Sequence, residues 1–160
     1  MTRNGFALLS LFAVSLAIGC SGKVYNRCEL ARELKDMPGV IPEHVATWVC
    51  IAYHESRFDT SAIGRGNGDW SWDHGLFQLS DRYWCGRNRI GGACGLACAS
   101  LRDEDIANDM QCMRVIFEEH KRLSGDGFNA WAVYGRCRGP RADRFISGCF
   151  DGFEIDENDL

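Results

Sequence analysis

Nine cysteines punctuate this chain of 160 residues, and they limit its fold more than any other feature. Cys20 stands apart from the rest. Arg3 makes a short basic start, Phe6 to Ile18 an apolar run, and Cys20-Ser21-Gly22 a small-residue cleavage tripeptide. That order reads as a secretory signal peptide over residues 1–22, because the run falls short of the roughly 20 apolar residues of a membrane-spanning helix. A lipidated Cys20 after "LAIGC" is the rival reading, weakened by Ala17 where such a motif usually has Leu. Without the leader eight cysteines remain: Cys28, Cys50, Cys85, Cys94, Cys98, Cys112, Cys137 and Cys149. An even number in an exported chain implies disulfides, with about 105 pairings open. A zinc site on Cys94 and Cys98 would need a second close pair or neighbouring histidines, which the sequence lacks.

Between the cysteines the pattern is mostly helical. Leu30, Leu34 and Met37 share one face of "RCELARELKDM", which Pro38-Gly39 ends. Pro42 opens a second helix whose stripe is Val45, Trp48, Val49 and Ala52. A third is announced by Ile106, Met110, Met113 and Phe117, with acids at Asp103 to Asp105 near its start and Lys121-Arg122 near its end. Shorter helical pieces are expected around Trp131 to Tyr134 and Ala142 to Ile146. From Gly64 to Ser80 the glycines, Asn67 and alternating Trp70 and Trp72 predict the one β-hairpin region. With 46% hydrophobic residues and no internal repeat, residues 23–149 are expected to form one mostly helical α+β domain.

Charge narrows the partners. Residues 23–149 balance 17 basic against 17 acidic side chains, whereas residues 150–160, "FDGFEIDENDL" from Phe150, add five acids and no base. This acidic tail is expected to be disordered. No basic cluster points to nucleic acid, and a mature charge near minus 5 argues against killing by membrane disruption.

Two acids carry the candidate chemistry. Glu55, in "AYHESRF", takes the slot three residues after Ala52 and seven after Trp48, so its carboxyl group shares the apolar face of its helix. Desolvation there raises a carboxyl pKa and keeps the proton on, as a general acid requires. Asp73, in "GNGDWSWDHG", alternates opposite Trp70 and Trp72 beside Ser71 and near Asn67, a setting expected to keep it hydrogen-bonded and ionised. Two carboxyl groups with diverging pKa values suit glycosidic bond cleavage. Taken alone, the pattern equally permits a solvated helix-end acid and a turn aspartate.

Over nearly all of residues 23–149 the sequence resembles the chicken-type (c-type) lysozymes. The segments that carry the likeness are "KVYNRCELARELK", "WVCIAYHESRFDTSA", "NGDWSWDHGLFQLSDRYWC" and "NAWAVYGRC". The signature Cys94-x3-Cys98-x2-Leu101-x3-Asp105-Ile106-x5-Cys112 is matched at every fixed position. The resemblance implies a mainly helical lobe and a small antiparallel β-hairpin lobe with the active-site cleft between. It pairs Cys28 with Cys149, Cys50 with Cys137, Cys85 with Cys98 and Cys94 with Cys112. Lysozyme is itself the type case for paired-carboxylate catalysis, so the roles of Glu55 as acid and Asp73 as nucleophile or stabiliser come from the resemblance. It further implies that Trp131 packs against the acid. Asn67, Gln78, Ser80, Tyr83, Trp84, Ala130 and Trp131 would bind the sugar. The reaction implied is retaining hydrolysis of the β-1,4 bond between N-acetylmuramic acid and N-acetylglucosamine by a secreted monomer. Peptidoglycan strands are the expected partner, with chitin oligosaccharides as a further substrate class.

Three positions depart from the family pattern. Tyr83 replaces a frequent Trp and keeps an aromatic face. Ser80 replaces the usual Asn near Asp73, and His74 replaces Tyr, where a charge below about pH 6.5 would lower the pKa of Asp73. No cofactor is required by this reading. Some relatives bind calcium before the third helix, where this chain has Ser100, Asp103, Asp105, Asn108 and Asp109, Asn108 replacing a carboxylate. The competing function is that of a non-catalytic relative, an α-lactalbumin-like partner subunit or a gamete-surface glycan binder. Such relatives typically lose one or both acids, and this chain has both.

Overall fold

The computed structural model describes residues 22–65 and 68–151. All but the last residue of the expected leader over 1–22, Asn67 and all but the first two residues of the expected tail therefore lie outside the described residues.

Helix α1, Arg27–Asp36, starts where Asn26 satisfies two orphan amides. The Asn26 side chain accepts from the Cys28 amide at 2.8 Å, and the Glu29 carboxylate accepts from the Asn26 amide at 3.3 Å. Leu30, Ala31 and Leu34 are fully buried along its inner face. Pro42 opens a 3₁₀ turn, Pro42–His44, and α2 proper runs Val45–Ser56. Its first expected turn is thus wound more tightly than an α-helix. Arg57 ends α2 in the left-handed region, at φ 57°, with its amide bonded back to the last turn.

Three short strands follow: β1, Ile63–Arg65; β2, Trp72–His74; and β3, Leu79–Ser80. They form an antiparallel sheet in the order β1-β2-β3, one strand more than the expected hairpin. In its register Asp73 stands opposite Gly64 on one side and Ser80 on the other. Trp70 lies outside the strands. Asp69 accepts from the Ser71 amide at 3.0 Å and bends the chain, leaving Trp70 at φ 62°, so the expected Trp70–Trp72 alternation does not hold.

Helix α3, Ala107–Ser124, buries Met110, Cys112, Met113 and Ile116 and stops at Gly125, φ 81°. Where a helical piece is expected around Trp131, two 3₁₀ helices occur, Gly127–Ala130 and Ala132–Arg136, separated by the extended backbone of Trp131. The last helix, α4, is one turn, Pro140–Asp143, earlier and shorter than the expected 142–146. Among the described residues no helix is long and apolar enough to cross a membrane.

Four disulfides brace this frame: Cys28–Cys149, Cys50–Cys137, Cys85–Cys98 and Cys94–Cys112. The first two hold the C-terminal segment against α1 and α2, and the fourth ties the loop after the sheet to α3. Trp48 centres the helical core, edge-on to Phe77 and Trp131 and tilted against Phe128. Leu76 and Phe77, both fully buried, carry that core into the sheet lobe.

Candidate active site

The site lies where the end of α2 meets β2. The Ser56 hydroxyl, within hydrogen-bond reach of the Leu76 carbonyl at 2.8 Å and the Ala52 carbonyl at 3.1 Å, fixes the last turn of α2 to the sheet lobe. The Trp131 indole N–H donates to the Phe77 carbonyl at 3.2 Å, a second tie across the lobes. Glu55, one residue before Ser56, is thereby held half-buried at the junction. Trp131 packs at 5.0 Å on Trp48, two turns back on the face of α2 that carries Glu55.

Burial pushes the Glu55 carboxyl up to about 7, and the negative charge of Asp73 adds to the effect. Asp73 is also raised, first by burial, against which the hydroxyl of Ser80, its register partner on β3, favours the ionised form. Charges on Asp81 and Asp69 add to the rise, and His74 opposes it. The expected polar, easily ionised setting of Asp73 is therefore corrected to a half-buried one. Opposite Asp73, Gly64 leaves the room the site needs: a Cβ there would stand 2.3 Å from Gln78 Oε1. Gln78 fills that space and donates from Nε2 to the Gly75 carbonyl at 2.9 Å.

His74 points to the other face of β2 and is buried, with Nε2 3.3 Å from Asp81 Oδ2 and one ring nitrogen within 4.8 Å of the Cys85 and Cys98 sulfurs. Burial pushes its pKa down, so the ring stays neutral further into acid than an exposed histidine would. The expected charging of His74 near pH 6.5 is thus corrected. Its partner Asp81 is better stabilised as an anion: burial alone would raise its pKa, but hydrogen bonds from Arg87, the Trp72 amide and His74 outweigh it.

A cleft of about 710 Å³ runs past Asp73, and Gln78, Ser80, Tyr83, Trp84, Ala130 and Trp131 all line it. Tyr83 is 55% exposed and presents its ring to the opening. Three charged or polar lining residues were not among the expected ones: Arg82, and Glu119 with His120 on α3. The last two occupy the third and fourth slots after buried Ile116, the same helical spacing that singles out Glu55.

The calcium candidates surround the start of α3 but do not converge. Asp103 accepts from the Asp105 amide and Asp105 from the Ala107 amide, each at 3.0 Å. Asn108 Oδ1 and Asp109 Oδ1 are buried without hydrogen-bond partners, oxygen donors of the kind calcium takes. Yet among the described residues these carboxylates do not form a group within 4.8 Å, so the loop is not a preformed cage. The two groups that do come so close, around His54 and His74, contain only disulfide-bonded cysteines besides the histidine and offer no thiolate.

A helical lobe and an antiparallel sheet lobe, braced by four disulfides and parted by a carboxylate-bearing cleft, define the lysozyme-like α+β class. The chain belongs to the C-type lysozyme/alpha-lactalbumin family, whose model matches residues 23–149. It is 38% identical to Lysozyme C-1 of Mus musculus, over 89% of this chain and 97% of the mouse protein. It is also 38% identical to Lysozyme B of Drosophila melanogaster, over 83% of this chain and 92% of the fly protein. Among solved structures, a lysozyme from Litopenaeus vannamei superposes with a TM-score of 0.72 at 34% identity, covering 80% of this chain and 98% of the shrimp one.

Proposed function

We propose that this protein is a secreted muramidase that cleaves the β-1,4 bond between N-acetylmuramic acid and N-acetylglucosamine in peptidoglycan, with Glu55 as general acid and Asp73 as its anionic partner. The observation that carries the proposal is the half-buried placement of Glu55 at the end of α2, where burial and the neighbouring Asp73 on the cleft wall push its carboxyl up to about 7. Glu55 donates to the glycosidic oxygen as the bond to the anomeric carbon lengthens. Asp73 attacks that carbon or stabilises its positive charge, Glu55 as carboxylate then takes a proton from water, and the water oxygen replaces Asp73 with net retention. Tyr83 and Trp84 offer faces for pyranose rings, and Gln78, Ser80 and the Ala130 backbone offer polar groups for N-acetyl substituents. Asn67 belongs to the same proposed set.

Secretion rests on the leader composition and on four disulfides, which persist in oxidising compartments. The relatives named lysozyme support the substrate class. The direct test is a soluble peptidoglycan oligosaccharide followed by proton NMR. Wild type is expected to release the β-anomer first, with Glu55→Gln and Asp73→Asn each slowing release at least about 100-fold. Release by Glu55→Gln at the wild-type rate would remove Glu55 from the mechanism.

A further inference from the structure

On the outer side of the sheet lobe, Trp70 combines two features that oppose folding. A bulky aromatic residue at φ 62° is strained, and its side chain is 90% exposed. The surrounding structure nevertheless holds it firmly. Asp69 caps the Ser71 amide, Arg82 bonds Asp69 at 2.5 Å, and Arg87 reaches both the Trp70 carbonyl and Asp81, whose side chain is 1% exposed. A strained, exposed indole on a braced loop is a presented surface, since fixing it beforehand lowers the cost of binding a ligand.

Trp70 borders an open cavity of about 700 Å³ between its own loop and the segment from Cys85 to Gly92. Arg82 lines both this cavity and the cleft, so the two are adjacent. Two of the three arginines here are paired with aspartates. Arg89 is exposed and, among the described residues, its side chain makes no ion pair or hydrogen bond. With Asn88 beside it, the cavity offers a flat aromatic face, an amide and one uncommitted guanidinium. An aromatic face takes the C–H side of a pyranose ring, and a guanidinium matches a carboxylate in bidentate fashion.

We propose that Trp70, Asn88 and Arg89 form an accessory glycan-binding site, outside the cleft, for a pyranose bearing a carboxylate substituent. It would hold an insoluble wall polymer while the cleft acts on it. The proposal rests on the muramidase reading for its biological sense, but not for its test.

Binding is measured by co-sedimentation in a Glu55→Gln background, so that no turnover enters, on purified sacculi, on colloidal chitin and on vesicles of anionic phospholipid. Trp70→Gly also relieves the backbone strain, so the variant is expected to fold. It should weaken binding to sacculi and chitin about tenfold, the ordinary effect of removing one aromatic anchor. Arg89→Gln should weaken binding to sacculi severalfold and leave uncharged chitin unaffected. In the active background, Trp70→Gly should leave hydrolysis of a short soluble oligosaccharide unchanged. Undiminished sacculus binding by Trp70→Gly would overturn the site, as would loss confined to the vesicles; equal sacculus binding by Arg89→Gln would overturn its acidic half. Failure of the muramidase reading would appear instead as an inactive wild type, with these binding differences intact.

Discussion

Glu55 keeps its proton through two causes that mutation can separate, burial and the charge of Asp73. Its folded-state pKa lies above the unfolded value of about 4.3, so its ionisation weakens the fold as pH rises from there through about 7. Glu55→Gln should therefore be more stable than wild type at pH 8 by about 1–2 kcal/mol, a figure reduced for partial solvent contact, and no more stable at pH 4. Urea unfolding at both pH values checks this. At Asp73 the Ser80 hydroxyl favours the anion. Ser80→Ala should thus raise the Asp73 pKa and move the acidic limb of the pH–rate profile upward while the basic limb stays with Glu55. A downward shift of the acidic limb would contradict that role of Ser80. Asp109 is a different buried acid, raised well above the ordinary range by burial and by its neighbours Asp103 and Asp105. Asp109→Asn should raise the melting temperature at pH 7 in the presence of chelator, because the amide requires neither a buried charge nor the uptake of a proton on folding.

At the level of elements, the end of α2 decides the geometry of the site. Ser56 joins that end to the sheet lobe through a buried hydroxyl. Ser56→Ala would leave the Leu76 carbonyl short of a donor, costing about 1–2 kcal/mol and lowering kcat more than it raises KM, because Glu55 would lose its position relative to Asp73. Parallel unfolding and steady-state kinetics would show both effects. The sequence makes the apolar stripe of α2 and the place of Glu55 on it readable, because 3.6-residue spacing is a local property. It does not reveal where α2 stops, since Arg57 adopts a conformation usually left to glycine. The third strand is likewise hidden, because the bond that Asp81 accepts from the Trp72 amide joins residues nine apart, whereas the bend at Trp70 is set locally, by Asp69 accepting from the Ser71 amide. Glu119 and His120 stand three and four residues after Ile116, a spacing visible in the sequence, but that this part of α3 borders the cleft is a tertiary fact.

Across the whole molecule, the cysteine count constrains the architecture while leaving the pairing to the tertiary structure or to family likeness. Cys28–Cys149 spans 121 residues of sequence and Cys85–Cys98 only 13, so the first restrains the unfolded chain more. Replacing both members of the first pair by Ser should cost about 4–5 kcal/mol, and both members of the shorter pair about 3 kcal/mol, by denaturant titration. An inverted order would show that strain or residual structure governs the energetics. The lobes, the disulfides and the cleft converge on one proposed act, acid-assisted cleavage by Glu55 beside an ionised Asp73. The measurement that tests it most directly is clearing of purified sacculi by the wild-type protein from pH 3 to 8, alongside Glu55→Gln and Asp73→Asn. The account predicts a bell-shaped wild-type profile whose activity falls away above about pH 7, with clearing lost in both variants. Clearing by Glu55→Gln equal to that of wild type, or no clearing by wild type at any pH in the range, would contradict it.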